Sequence, residues 1–310
     1  MSEASPVPLD QAALRSAVLA PGSLWTRLDV VGETGSTNED LLAAARSGAA
    51  EGAVLVAERQ ARGRGRQGRT WITVPGGALS FSVLLRPAGV PAAARGWLPL
   101  LTGVAVARAV TEAAGVRVSL KWPNDVLAGG AKLAGILAEQ AGPAIVIGIG
   151  INVGARQADL PGAPAARSPE PAAPPAAAPS SAAAAEAPAP SGPLAPAALA
   201  PTSLALAGAP AADRGALLAA ILAELEYWYR AWASPGSSGV PGDPDSCGLR
   251  AEYLRWCSTI GTEVVVHLPG GATLTGEAAG VDVAGCLIVG AEPGATAVSA
   301  GDVMHVRRVP

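Results

Sequence analysis

Lysine is almost missing from this chain. Of its 22 basic residues only Lys121 and Lys132 are lysines, and the other twenty are arginines. Asparagine is as scarce, with Asn38, Asn124 and Asn152 only. Where Arg has taken the generic surface positions, a retained Lys marks a place that favours a compact ammonium over a planar fork. Histidine occurs twice, at His267 and His305, so a Ser-His-Asp or Cys-His set has nothing to draw on before the last fifty residues. The cysteines, Cys247, Cys257 and Cys286, are odd in number and form no CxxC pair, which excludes a disulfide framework and fits a reducing cytosol. Excess charge is lacking too. A formal net charge of −3 and a pI near 5.5 exclude an obvious polyanion binder. No long hydrophobic run exists, since Leu133 to Val153 is broken by Glu139, Gln140 and Pro143 and cannot span a membrane. Met1 to Pro6 has neither a basic start nor an apolar stretch, so we expect no signal peptide and a cytoplasmic location.

What is present falls into unequal parts. Residues 1–24 are polar or weakly helical and carry no readable chemistry. A main domain is expected over 25–250. Within it, Ser36-Thr37-Asn38-Glu39 before Leu41 and Leu42 reads as a capping box opening a helix. Strands are expected at 53–57, 79–85, 116–121, 136–139 and 145–149, and a helix over Trp97–Ala114 that stops at Gly115. Asp213 is expected to cap a helix whose apolar side carries Leu217, Leu218, Ile221, Leu222, Leu225, Trp228 and Trp232. Residues 258–310 read as four or five short strands, 263–268, 273–281, 286–289 and 303–309 among them, forming a small barrel. Residues 162–199 differ in kind. Ala and Pro make up 27 of these 38 residues, ten of them Pro, so we expect a disordered insertion.

Chemistry concentrates in three places. Gly63-Arg64-Gly65-Arg66-Gln67-Gly68 matches GxGxxG, but the first carboxylate beyond it is Glu112 and the chain leads toward a strand, so the dinucleotide reading fails. A flexible loop remains with Arg62, Arg64, Arg66 and Arg69 as fork-shaped donors for carboxylate or phosphate. The second place is Lys121-Trp122-Pro123-Asn124-Asp125, followed by a Gly129-Gly130 hairpin and Lys132. Its ammonium groups suit a phosphate or carboxylate, with a Lys121–Asp125 surface ion pair as the plainer alternative. The third is Gly148-Ile149-Gly150-Ile151-Asn152, where glycines at the end of a buried strand admit a ligand or make a tight turn.

Together, Ser36-Thr37-Asn38, the loop from Gln60 through Gly68 to Arg69 and Trp71, Lys121 to Asp125, Lys132-Leu133-Ala134-Gly135-Ile136-Leu137 and Gly148 to Asn152 resemble the signature set of biotin–protein ligases, in that family's order and spacing. The resemblance covers about residues 30–155 and 200–310. It implies an α+β fold, a central mixed sheet flanked by helices of the biotin/lipoate ligase, class II synthetase-like kind, with a small C-terminal SH3-like β-barrel. It implies that biotin and Mg-ATP form biotinyl-5′-AMP, and that a lysine of the biotin carboxyl carrier domain of an acyl-CoA or pyruvate carboxylase then takes the biotin. By the same resemblance Ser36, Thr37, Asn38, Gln60, Arg64, Gly65, Arg66 and Lys132 hold biotin. Arg64, Arg66, Arg69, Trp71, Asn124, Lys132 and Asn152 hold the nucleotide, Lys132, Asp125 and Lys121 serve catalysis, and no metal-ligating residue is assigned. Only 31 residues precede Gly32, too few for a winged helix, so we expect a monofunctional form that binds no nucleic acid and no membrane. Monomer and homodimer stay open. A lipoate–protein ligase, and a non-enzymatic Arg-rich RNA-binding module, are the alternatives.

Replacing residues 163–198 by a short Gly/Ser linker is expected to leave the melting temperature nearly unchanged, because the segment has no periodic apolar face to give a core. A loss of several degrees in differential scanning calorimetry would contradict this.

Overall fold

Alternating apolar strands pair into one seven-stranded sheet, and the long helices cover it. The computed structural model describes residues 8–160, 199–268, 271–291, 294–299 and 302–305. The Ala/Pro-rich insertion expected at 162–199 lies outside the described residues except for Leu199, as do residues 306–309 of the last expected strand.

In chain order the large sheet contains β1 (Arg27–Thr34), β2 (Ala53–Gln60), β3 (Ala78–Leu85), β4 (Ser119–Lys121), β5 (Asp125–Ala128), β6 (Ala131–Ala141) and β7 (Ala144–Asn152). Their spatial order is β1-β2-β3-β7-β6-β5-β4. β1 and β2 run parallel and the remaining pairs antiparallel, so the sheet is mixed, as expected. β3 is buried at every position because it is central and both its faces are covered. Phe81, Val83 and Leu85 face the main core with α3 (Trp97–Ala114) and α4 (Arg214–Ala233). Leu84 faces a smaller cluster with Leu41, Leu42 and Ala45 of α2 (Thr37–Arg46).

The helix boundaries follow local chemistry. Asp213 Oδ1 accepts from the N–H groups of Gly215 and Ala216 and caps α4, as expected. Gly115, at φ 66°, ends α3 in the left-handed conformation. Ser36 does stand at the N-cap of α2, but it makes no side-chain cap hydrogen bond, and Glu39 reaches Arg64 instead of its own helix start. The capping-box expectation therefore gets the helix right and the cap wrong. Two helices and two strands lie outside the expected elements: α1 (Gln11–Val18), α5 (Leu249–Trp256), β1 and β5. α1 and α5 have eight residues each, short enough that their apolar pattern is ambiguous.

The C-terminal strands β8 (Glu263–His267), β9 (Thr273–Val281), β10 (Leu287–Ala291), β11 (Gly294–Val298) and β12 (Asp302–His305) form a five-stranded antiparallel sheet in the order β11-β10-β9-β8-β12. Two tryptophans join it to the large sheet. Trp97 donates its indole N–H to Asp282 O and Trp122 donates to Gly285 O, each at 3.1 Å. Both rings are fully buried, and Val264, Val266, Leu287 and Val289 belong to the same apolar cluster as α3.

Arg108 of α3 binds Glu224 of α4 at 2.8 Å and Glu252 of α5 at 3.1 Å, tying three helices together. Burial alone would raise the Glu252 pKa; hydrogen bonds from the Trp256 indole and Arg108, with Arg255 nearby, overcome it and leave the carboxyl below its ordinary value. A depressed carboxylate contributes stability that is present above its unfolded pKa and lost as pH falls through the folded value. Glu252→Gln is therefore expected to destabilise the chain at pH 7, and the gap from the parent should close under acid. Urea unfolding at pH 7 and at acid pH checks it, and a gap independent of pH would refute it.

Candidate active site

Register assigns side chains to the two faces of the sheet. In an antiparallel ladder directly opposed residues point the same way, and alternate residues share a face. Ser80 opposes Gly150 and Ser82 opposes Gly148; Gly135 opposes Gly150, Leu137 opposes Gly148 and Asp125 opposes Gly135. These residues therefore line the face away from α3. Three of them are glycines, so the middle of this face has backbone but no side chains.

Two polar side chains fill that space. A methyl group at Gly148 would overlap the Asn38 amide, and one at Gly150 would overlap the Trp71 indole. Trp71 also lies over Gly135, where the Lys132 ammonium approaches the same point. The indole N–H of Trp71 is buried and has no hydrogen-bond partner among the described residues.

Lys132 Nζ stands 2.7 Å from Asp125 Oδ1. The contact is an ion pair, which at this range needs no alignment. Asp125 thus pairs with Lys132. Lys121 faces Asp125 across the β4–β5 ladder and lines, with Asn124, Asp125, Leu120 and Tyr253, a small cavity under α3.

The arginine loop closes over this face. It turns through residues 66–68, with Gln67 in the left-handed region at φ 55°. Arg66 Nη1 donates to Asn124 Oδ1 at 3.1 Å, and Asn124 Nδ2 donates to Ile136 O at 3.1 Å. Arg64 reaches two carboxylates, Glu39 at 3.1 Å and Glu139 at 3.0 Å. Arg69 Nε donates to Arg66 O, and Gly65 N–H donates to Arg69 O, so the loop is stitched to itself.

A buried polar chain runs beneath. Thr37 N–H donates to Gln60 Oε1 at 2.9 Å. Thr37 Oγ1 lies 2.7 Å from Ser82 Oγ, which donates to Asn38 Oδ1 at 2.6 Å. Asn38 Nδ2 donates to Glu139 Oε2 at 2.9 Å and to Leu137 O at 3.2 Å. Ser36, Thr37 and Asn38 are all buried. Sequence reasoning named Ser36, Thr37, Asn38 and Gln60 but missed Ser82, Glu39 and Glu139. For Ser82 the available signal was a pair of hydroxyls, Ser80 and Ser82, inside a strand otherwise apolar, since a buried polar group needs a partner.

Asn152 is buried at the end of β7, and its amide donates to Thr202 O at 2.9 Å. The chain returning from the insertion runs beside the site: Lys132 N–H donates to Ala200 O and Thr202 N–H to Lys132 O, both at 2.8 Å. The structure thus gathers Trp71, Asp125, Lys132 and the Arg66–Asn124 pair at one end. Thr37, Asn38, Gln60 and Arg64 gather at the other, and Asn152 serves as a tie at the rim.

Comparison with known proteins gives the family. Residues 33–155, which span most of the site, match the model of the biotin/lipoate A/B protein ligase family. The biotin–[acetyl-CoA-carboxylase] ligase of Mycobacterium tuberculosis is 40% identical over 306 residues, 97% of each chain. The bifunctional ligase/repressor BirA of Bacillus subtilis is 40% identical over 138 residues, 43% of this chain and 41% of that protein. Among solved structures, the Aquifex aeolicus biotin protein ligase in complex with biotin and ATP superposes with a TM-score of 0.66 at 25% identity, covering 92% of this chain and all of that one. With identity of this level running the length of both chains, this protein belongs to the biotin/lipoate A/B protein ligase family.

Proposed function

We propose that the chain is an ATP-dependent biotin–protein ligase. It joins the biotin carboxylate to the α-phosphate of ATP, forming biotinyl-5′-AMP and releasing pyrophosphate, and then passes biotin to a lysine of a biotin carboxyl carrier domain of an acyl-CoA or pyruvate carboxylase. The observation that carries the reading is the side-chain-free patch of sheet at Gly135, Gly148 and Gly150, bordered by Lys132 and roofed by the arginine loop.

The roles follow from the groups present. In the first step two anions meet, a carboxylate and a phosphate, and charge builds between them. An ammonium has three donors and no acceptor, so Lys132 can keep Asp125 with one face and offer the others to both oxygens. Lys132 and Asp125 are only partly exposed, 27% and 15%, so water screens the charge weakly. Preorganised charge in place of an enzyme nucleophile is the catalytic device. Trp71 offers its ring face and its unpaired indole N–H to the nucleotide. Thr37 and Gln60 offer oxygen acceptors to the ureido ring, with Asn38 behind them in the same hydrogen-bonded chain. In the second step the acceptor amine attacks the acyl carbon, AMP leaves, and a proton must go to a base. We assign this role to Asp125, which has Lys121 opposite it on the ladder. Mg2+ enters with ATP as part of the substrate. Among the described residues no three His, Cys, Asp or Glu side chains cluster to hold a cation. Among the same residues no helix is long and apolar enough to cross a membrane.

Two outcomes are expected. Removing a preorganised donor costs roughly 10²–10³ in rate, so Lys132→Ala should nearly abolish pyrophosphate release and Lys132→Arg should recover part of it. Chemically made biotinyl-AMP should rescue transfer in Lys132→Ala; equal failure of both steps would make Lys132 a general binding group. Arg66→Gly removes the bond to Asn124 that closes the loop, so biotinyl-AMP should escape. Biotin appearing on unrelated bystander proteins reports the leak, and labelling confined to a purified carrier domain at the parent rate would exclude a guarding role.

A further inference from the structure

One charged group on the site face has no role so far. Glu139 lies on β6, its side chain 20% exposed, and its two oxygens reach in different directions. Oε2 accepts from Asn38 Nδ2 at 2.9 Å, and Oε1 lies 3.0 Å from Arg64 Nη2.

An ionised carboxylate only accepts hydrogen bonds, and so does a carbonyl. Glu139 Oε2 and Leu137 O both face Asn38 Nδ2. Two acceptors therefore fix the amide with its nitrogen toward β6 and its oxygen toward β3. Asn38 Oδ1 then takes the one hydroxyl proton of Ser82, at 2.6 Å. Ser82, having donated, can only accept from Thr37, at 2.7 Å. Thr37 Oγ1 donates there and keeps its lone pairs. Its single proton has two acceptors in reach, Ser82 Oγ at 2.7 Å and Gln60 Oε1 at 3.2 Å, and the shorter contact takes it. With that proton on Ser82, Thr37 Oγ1 and the second lone pair of Gln60 Oε1, whose first accepts from Thr37 N–H, stand side by side as a seat for the N–H of a ligand.

We propose that Glu139 is a positioning residue for biotin. It sets the direction of the Asn38–Ser82–Thr37 relay, so that Thr37 Oγ1 and Gln60 Oε1 both accept from a ureido N–H, and its second oxygen holds the arginine loop through Arg64. The inference rests on the biotin-ligase reading and deepens it. One carboxylate couples the polarity of the pocket floor to the closing of its roof. Gln at this position carries a donor as well as an acceptor, so the amide of Asn38 is no longer forced one way.

The test compares the parent, Glu139→Gln and Ser82→Ala by biotin titration calorimetry without ATP, by steady-state kinetics in biotin, and by thermal melting. In Glu139→Gln, biotin affinity should fall about tenfold or more and KM should rise with it. The kcat at saturating biotin should stay within about twofold, because binding common to ground and transition states is what is lost. Ser82→Ala breaks the same relay without touching Glu139 or Arg64, and should show the same shift in KM. The double variant should be little worse than either. Parent affinity in Glu139→Gln, or a fall in kcat at unchanged KM, overturns the proposal. If Glu139→Gln does not fold, Ser82→Ala decides, and parent affinity there overturns it. A parent chain that neither binds biotin nor releases pyrophosphate overturns the biotin-ligase reading instead.

Discussion

The site depends on a gap left in one face of a sheet. A buried strand normally carries side chains on both faces, and on the α3 side Ile145, Ile147, Ile149 and Ile151 do so. On the other face the same strand offers Gly148 and Gly150, and its neighbour offers Gly135. Glycine in a strand interior gives up packing and conformational stability. Here it opens room that Asn38 and Trp71 enter and that any added methyl would close. The apolar face holds the fold, and the bare face admits the polar side chains. The period of two along each strand keeps the two functions apart in one element.

Desolvation decides what the polar groups around that gap can do. Ser36, Thr37, Asn38 and Asn152 are buried, and a buried polar group without a partner is costly. The Thr37–Ser82–Asn38–Glu139 chain satisfies Thr37 and Asn38, and Thr202 O satisfies Asn152. The charged pairs of the roof are different. Arg64 and Glu39 are 45% and 43% exposed, and such pairs are individually weak. A roof held by weak, water-accessible pairs can open for a ligand, while a floor held by buried hydrogen bonds stays in place.

The small C-terminal sheet and the returning chain frame this arrangement. Trp97 and Trp122 each use an indole N–H to reach a carbonyl of the C-terminal segment while burying the ring. Trp122 immediately precedes the Pro123-Asn124-Asp125 turn, so the strand end that carries Asp125 is braced by the smaller sheet. Beyond the insertion, Ala200 and Thr202 bond to the backbone of Lys132. Lys132 is thereby fixed by a segment remote in sequence.

The strongly periodic elements were legible in the chain. α3, the capped start of α4 and the strands β2, β3, β6, β7 and β9 follow from apolar spacing and from local signals such as Asp213 and Gly115. Rarity singled out Lys132, Asn38, Asn124 and Asn152, and motif order placed them in one family before any contact was known. α1, α5, β1 and β5 were not legible, because short elements owe their form to what they pack against. Tertiary structure alone decided that Asp125 pairs with Lys132, that Glu39 turns from its helix to Arg64, and that Ser82 and Glu139 join the relay. The sequence by itself determined which residue types were available and the face each would take within a strand, since both are local. Partnership is not local: it depends on strand register and loop path, which bring residues dozens of positions apart to within three ångströms and give a buried polar atom its single choice.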